Sequence, residues 1–447
     1  GSRPPPPRDP STLADYVSEP FRIGFEWLSN DHGSAVERAT FAQLDIETAG
    51  KRATVLEDLS ARTVRRYVRA SAYHLALWLT ANWWRLRWEP EQERPSPDWA
   101  LSHSIAGVGE GYVWPDLRLS SDGETVLADS HPTEGGGPEP IRYLNRFRVP
   151  IQADAFEQGV DRFVEAVLER LSVHVAAAPL NTLWQELREE RSDPEATAWR
   201  RMEAKLGFDP DEAEEELLER LKGLAKEAGQ AATEEVAVVA KAEAPDTLVA
   251  LLASKDRSIR IGVPHVGQIR LGAMDAVSTS APPWLRGAAA AQMARITWGF
   301  GSGPLPSAML SDLFSIPRGI LKGQIPPSEA PMPVGFREAN EDGSLRVVLT
   351  KRSAAGRRFA LARVVGAHVF CEDDRMLPAT NSKTARQKFQ RSFAQELLCP
   401  FRDLVEYINT NTPSDDHIED AAHHFGVSPL LVESTLVNNN YINQPIR

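Results

Sequence analysis

Seven apolar residues, Phe156, Val160, Phe163, Val164, Val167, Leu168 and Leu171, recur at intervals of one, three or four residues ahead of Pro179. That period gathers them on one stripe of a helix, and so wide a stripe needs an apolar surface to cover it. Residues 21–28, 41–46 and 53–56 offer one, because apolar and polar side chains alternate there as in half-buried strands. Asp154, with Glu157 three residues on, has the spacing of a capping box at the helix start. Further strands are expected at 112–119, 125–128 and 141–149, the first two joined by the turn Ser121-Asp122-Gly123.

Residues 61–88 carry Val64, Val68, Leu75, Leu79 and Leu86 and read as one long helix, studded with Trp78, Trp83, Trp84 and Trp88. Tryptophans at helical spacing are expected in a core rather than around a planar ligand. Residues 21–178 thus read as an N-terminal mixed α/β domain behind a Pro-rich arm, residues 1–20. Residues 179–239 read as a helical connector, with Asp193-Pro194 and Asp209-Pro210 as helix starts and an acidic face at 212–219. Residues 240–283 read as a mixed connector, with short strands at 259–263 and 268–271. A last domain spans 284–447.

Composition narrows the function classes. The 447 residues hold 50 Lys+Arg against 62 Asp+Glu, a net charge of −12, which argues against broad binding to nucleic acid. The two cysteines, Cys371 and Cys399, build neither a disulfide framework nor a four-cysteine zinc site, and suit a reducing cytoplasm. Residues 70–84 are the most apolar stretch, yet they are shorter than the roughly twenty residues of a membrane span and contain His74 and Asn82. No membrane partner is expected. Gly299-Phe300-Gly301-Ser302-Gly303-Pro304 lacks the Gly-Lys-Ser/Thr that a phosphate loop needs, and reads as an interhelical loop.

In the last domain, strands are expected at 334–338 and 344–350, with a hairpin loop at 339–343, and helices at 356–370 and 383–407. Three segments there are distinctive. The first is Arg358-Phe359-Ala360-Leu361-Ala362-Arg363-Val364-Val365-Gly366-Ala367-His368-Val369-Phe370. The second is Phe393-Ala394-Gln395-Glu396-Leu397-Leu398-Cys399-Pro400, and the third runs from Ile418-Glu419-Asp420-Ala421-Ala422 through His423-His424-Phe425-Gly426-Val427-Ser428-Pro429. In this order they resemble the ImmA/IrrE family of metallopeptidases, over roughly a third of the chain. The family's segments read approximately R-F-x-L-A-H-E-x-G-H-H-L, then F-A-x-E-L-L-x-P, then a closing helical pair. The resemblance implies a zincin-like helical domain with a small β-hairpin, and α+β architecture for the whole.

It also locates what is missing. Such a peptidase needs two histidines four residues apart, a glutamate beside the first as general base, and a third zinc ligand from the next helix. The histidines fall on Arg363 and Ala367, the glutamate on Val364 and the third ligand on Gln387. Arginine stays protonated and repels zinc; valine and alanine carry no donor. The resemblance therefore implies an inactive domain with no metal and no cofactor. His368, Cys371, Glu372, Asp373 and Asp374 form a local group of ligand-type side chains, read as a capped helix end with exposed acids rather than a metal site.

Loss of zinc would free a groove. Lys351, Arg352, Arg357, Arg358, Arg363, His368, Lys383, Arg386, Lys388 and Arg391 are expected along it as a basic surface, or else engaged with nearby carboxylates. Family members typically act on transcriptional repressors in stress responses and mobile-element control, and related domains occur in toxin–antitoxin and phage-defence settings. By resemblance this chain is a bacterial, cytoplasmic regulatory or scaffolding component whose partner is a protein. One alternative is a DNA-binding regulator, since Ser414 and Ser428-Pro429 open two helices spaced like a helix-turn-helix, although residues 429–436 contain no Arg or Lys. Another is a hydrolase with its site in the N-terminal domain, around Asp116, Asp122 and Glu124 as in a nuclease, or around Ser102-His103.

Overall fold

A computed structural model describes residues 21–135, 140–174, 179–338, 343–370 and 374–442. They form two compact units, one ending at Leu218 and the other beginning at Glu219. Both mix helices with small sheets, and every strand pairing is antiparallel.

In the first unit, β1 (Arg22–Trp27) pairs with β2 (Phe41–Thr48), which follows the short helix α1 (Ala35–Thr40). β2 alternates strictly between buried and half-buried residues, as its sequence requires. Of residues 53–56, expected as a strand, only Leu56 is one; 53–55 join β3 (Lys51–Arg52) to β4 (Leu56–Asp58).

The long helix expected over 61–88 is replaced by four elements. They are β5 (Thr63–Arg65), β6 (Val68–Ser71), α2 (Ala72–Ala81) and α3 (Trp83–Trp88). Val68 to Ser71 is recruited by the open edge of β2, opposite Leu44 to Phe41, and tertiary pairing overrides the helical spacing. Val64, assigned to the helical stripe, is 65% exposed. The tryptophans are core: Trp83 and Trp84 are buried edge to face, and Trp84 Nε1 donates to Glu190.

Helix α4 (Pro97–His103) precedes β7 (Asp116–Ser121) and β8 (Thr125–His131), and the stretch expected as one strand at 141–149 divides into β9 (Ile141–Tyr143) and β10 (Phe147–Gln152). Helix α5 (Ala153–His174) carries the apolar stripe inward. The helix begins at Ala153, so Asp154 lies in its first turn instead of at its N-cap, and Glu157 forms ion pairs with Arg87 and Arg191. α6 (Pro179–Ser192) and α7 (Pro194–Leu206) complete the unit. The helical stretch expected as a connector is thus shared, since residues 219–239 belong to the second unit.

The second unit continues from α8 (Glu215–Ala228) with α9 (Gln230–Ala240) and α10 (Ala244–Ala253). Its sheet runs in the order β11 (Ile259–Gly262), β13 (Ser344–Val348), β12 (Val334–Arg337), β14 (Met376–Pro378). Because β11 pairs along β13, residues 240–283 are part of this fold and not a connector. Residues 268–271, read as a strand, lie in α11 (Val266–Ala276), where Val266 and Ile269 face the core three residues apart.

α12 (Pro283–Thr297), α13 (Ser307–Phe314) and α14 (Arg318–Leu321) lead to β12. The core helices are α15 (Ala354–Phe370) and α16 (Ala385–Leu398). Pro400 divides the expected helix 383–407 into α16 and α17 (Phe401–Ile408), since proline cannot donate within a helix. α18 (Asp415–Phe425) and α19 (Pro429–Asn438) start at Ser414 and Ser428 as the sequence predicts, each serine accepting from a first-turn amide. The hairpin-loop residues 339–342 lie outside the described residues. No helix of the described residues is long and apolar enough to cross a membrane.

Candidate functional site

α15 and α16 approach closely because residue 366 is glycine: a Cβ there would stand 2.7 Å from the ring of Phe393. β12 meets the opposite side of α15 through Gly335, where a Cβ would stand 2.5 Å from Val364 Cγ1. Val364 and Ala367 are buried packing residues. Arg363 and Gln387 face each other between the helices. Arg363 Nη2 donates to Gln387 Oε1 at 2.5 Å and to the Thr380 carbonyl, and reaches Gln390 Oε1 at 3.5 Å.

Gln387 is fully buried, and both its amide oxygen and its amide nitrogen are hydrogen-bonded. Oε1 also accepts from Thr380 N at 3.0 Å, and Nε2 donates to the Pro378 carbonyl at 3.0 Å. The opposite amide orientation would set its NH2 against both N–H donors, so the bonding pattern fixes which atom is oxygen. Burial pushes the Arg363 guanidinium down to about 9; Arg391 adds to the fall and Glu235 opposes it. The group remains cationic at neutral pH and fills the space between the two helices.

Glu235 of α9 reaches the loop before α16. It accepts from Thr384 Oγ1 at 2.8 Å and Ser382 Oγ at 3.3 Å. Thr384 is also the N-cap of α16. Thr380, Ser382, Gln390 and Glu235 had no place in the sequence-based site. The alternation Thr380-Asn381-Ser382-Lys383-Thr384 is the signal that marks the loop; nothing in α9 marks Glu235.

The expected basic groove is not an open surface. Arg357 and Arg358 are 2% and 6% exposed, and they point inward at carbonyls. Arg357 donates to Lys351 O and Ile320 O, and Arg358 to Leu305 O and Phe425 O. These carbonyls lie at turns and helix ends, and Ile320 O also accepts from Gly323 N at 3.1 Å. Arg386 pairs with Asp374, and Arg391 donates to Ser382 O at 2.8 Å. Lys388 lies 5.7 Å from the Trp284 ring centroid. Lys351 and Arg352 are exposed, and Lys383 is half-buried.

His368 is 5% exposed, and neither ring nitrogen has a hydrogen-bond partner among the described residues. Burial, with Arg337 and Arg270 nearby, pulls its pKa down to about 4, so the ring is neutral. Those two arginines cap the end of α15, at His368 O and Val369 O. Cys371, Glu372 and Asp373 lie outside the described residues. Among the described residues no three His, Cys, Asp or Glu side chains come together as a metal would require.

The glycine loop is an acceptor, not a phosphate cradle. Arg295 Nη2 donates to the carbonyls of Gly301 and Gly303, and Gly303 N donates to Asp403. In α19 the residues Leu431, Val432, Thr435 and Leu436 face inward.

In the first unit the acids singled out from sequence do not converge. Asp122 accepts from Glu124 N, Thr125 N and Thr125 Oγ1, closing the β7–β8 turn. Asp116 is held by Ser104 and Arg118. Ser102 accepts from Arg85, and His103 Nε2 faces Glu89 at 3.0 Å instead of Ser102. A serine nucleophile needs that nitrogen as its base.

No family model matches the chain, and no curated protein or solved structure matches it.

Proposed function

We propose that the second unit is a metal-free ImmA/IrrE-like domain that acts by holding a protein partner, in a regulatory or scaffolding role. The setting we propose is a bacterial stress response, a toxin–antitoxin pair or phage defence. The observation that carries this reading is the Arg363–Gln387 hydrogen bond. The resemblance assigns a first zinc ligand and the third zinc ligand to these positions, and a cation and a neutral amide there satisfy each other with no metal between them. Val364 supports it, because a valine packed on Gly335 offers no base to activate water.

A protein partner fits better than nucleic acid. The chain is acidic, the guanidinium groups of Arg357 and Arg358 are committed to interior carbonyls, and α19 contains no Arg or Lys. Metal analysis of the purified chain, paired with affinity capture and mass spectrometry, tests the reading. The expected result is zinc far below one per chain and a recurrent protein partner. Near-stoichiometric zinc, or peptidase activity abolished by a chelator, would overturn it.

A further inference from the structure

Glu235 is 4% exposed, and among the described residues it has no ion-pair partner. Its bonds are to two neutral hydroxyls, Ser382 Oγ and Thr384 Oγ1. Two neutral hydroxyls only partly offset taking a carboxylate out of water, and the attraction of the nearby Arg363 guanidinium adds to them. The loop is therefore built to receive a carboxylate. The hydroxyls of Thr380, Ser382 and Thr384 gather together, with Thr380 Oγ1 and Ser382 Oγ 2.9 Å apart and Ser382 Oγ and Thr384 Oγ1 3.3 Å apart. Behind them Arg363 holds the Thr380 carbonyl, and Arg391 holds that of Ser382. Hydroxyl donors in front and guanidinium groups behind are the chemistry of a carboxylate receptor.

The helix that delivers Glu235 is a discrete segment. α9 starts after Gly229, at φ 95° and ψ 144°, and ends at Lys241, at φ 52° and ψ −127°. The chain leaves the helical region at both joints, and a left-handed φ at a lysine is strained. Beside β14 and α16 a small cavity separates Ala231, Ala232 and Glu235 of α9 from Pro378, Gln387 and Gln390, so the packing of α9 is incomplete there.

We propose that the 380–384 loop is a binding site for a carboxylate side chain on a helical, acidic segment of a partner protein. Glu235 is its internal ligand, and α9 is the latch that the partner displaces. For the identity of the occupant this rests on the partner-binding reading above; for the latch it rests on Glu235 and the loop alone.

Hydrogen–deuterium exchange on the full chain, with and without Glu235→Ala, tests the latch. In the variant, amides of α9 are expected to exchange at least about tenfold faster, with α15 and α16 unchanged. The probe for the site is a fluorescein-labelled peptide copying residues 229–241. It is expected to bind the Glu235→Ala protein saturably and the unaltered chain at least about tenfold more weakly, since there Glu235 competes. The same peptide with Glu235→Gln is expected to lose that binding. Should Glu235→Ala fail to fold, Glu235→Gln in the full chain serves the same comparison. Unchanged exchange in α9, loosening that spreads through α15 and α16, or equal binding of the two peptides would overturn the proposal. Zinc in the same preparation would remove the pseudo-enzyme reading and leave the latch standing, so the two failures are distinguishable.

Discussion

Arg363 and Gln387, 24 residues apart in sequence, meet at 2.5 Å between α15 and α16. Each completes the other: the guanidinium supplies a donor to an amide oxygen, and the amide anchors both the Thr380 backbone and β14 through Pro378. Truncation by Arg363→Ala leaves buried acceptors short of a donor and opens a void. The expected loss is about 2 kcal/mol, read as a lower urea midpoint. An unchanged midpoint would show that the bond is incidental.

The same pair permits a test of ancestry. Arg363→His, Ala367→His and Gln387→Glu together place two imidazoles four residues apart opposite a carboxylate, the ligand set of a zinc site. The triple variant is expected to bind close to one zinc per chain by metal analysis, and Ala367→His alone is expected to bind none. No zinc uptake by a folded triple variant would mean that these helices do not share the geometry of the resembled family.

Gly366 sets the helix separation. In Gly366→Ala the new methyl meets Phe393 Cδ1 at 2.7 Å, and Phe393 is fully buried, so α15 must shift or the ring must leave its rotamer. The expected cost is about 1–3 kcal/mol, measured by thermal or chemical unfolding. A neutral result would mean that the two helices slide freely.

His368 predicts acid sensitivity with a definite sign. Its folded pKa is about 4, below the unfolded value near 6.5, so the folded state favours the neutral ring. That contribution is complete above pH 6.5 and is lost as pH falls toward 4, amounting to roughly 3 kcal/mol. Stability measured from pH 7 to pH 4 is expected to fall less steeply in His368→Leu than in the unaltered chain. Parallel curves would exclude the residue as the source.

In the first unit, Glu89 is fully buried with Arg85 and His103 on the same carboxylate oxygen, at 2.8 and 3.0 Å. Glu89→Ala strands a buried guanidinium that keeps only Ser102, Asp98 and Asp209. A loss of about 3–5 kcal/mol is expected, with Glu89→Gln milder. Equal unfolding midpoints for both variants and the unaltered chain would sink this account.

Local chemistry was readable where it acts locally. Ser414 and Ser428-Pro429 start their helices, the alternation of β2 shows its buried face, and the stripe from Phe156 to Leu171 faces the core. Misreadings arose where a distant partner competed. Val68 satisfies a helix in sequence, yet β2 offers it a ladder of hydrogen bonds. Glu157 has capping-box spacing, yet its carboxylate pairs with Arg87 and Arg191.

For the site, sequence by itself determined that Arg363, Val364 and Ala367 offer zinc no ligand and Gln387 at best a weak neutral one, because that follows from donor atoms alone. Where their charge and polarity go was decided only by tertiary structure. Arg357 and Arg358 are basic in any sequence reading, but folding turns them onto carbonyls at nearby turns and helix ends. Glu235 is an ordinary helix glutamate until α9 brings it against Ser382 and Thr384, 147 and 149 residues away. A side chain's donors and acceptors are local properties, whereas its partners depend on which distant backbone the fold brings within hydrogen-bonding reach.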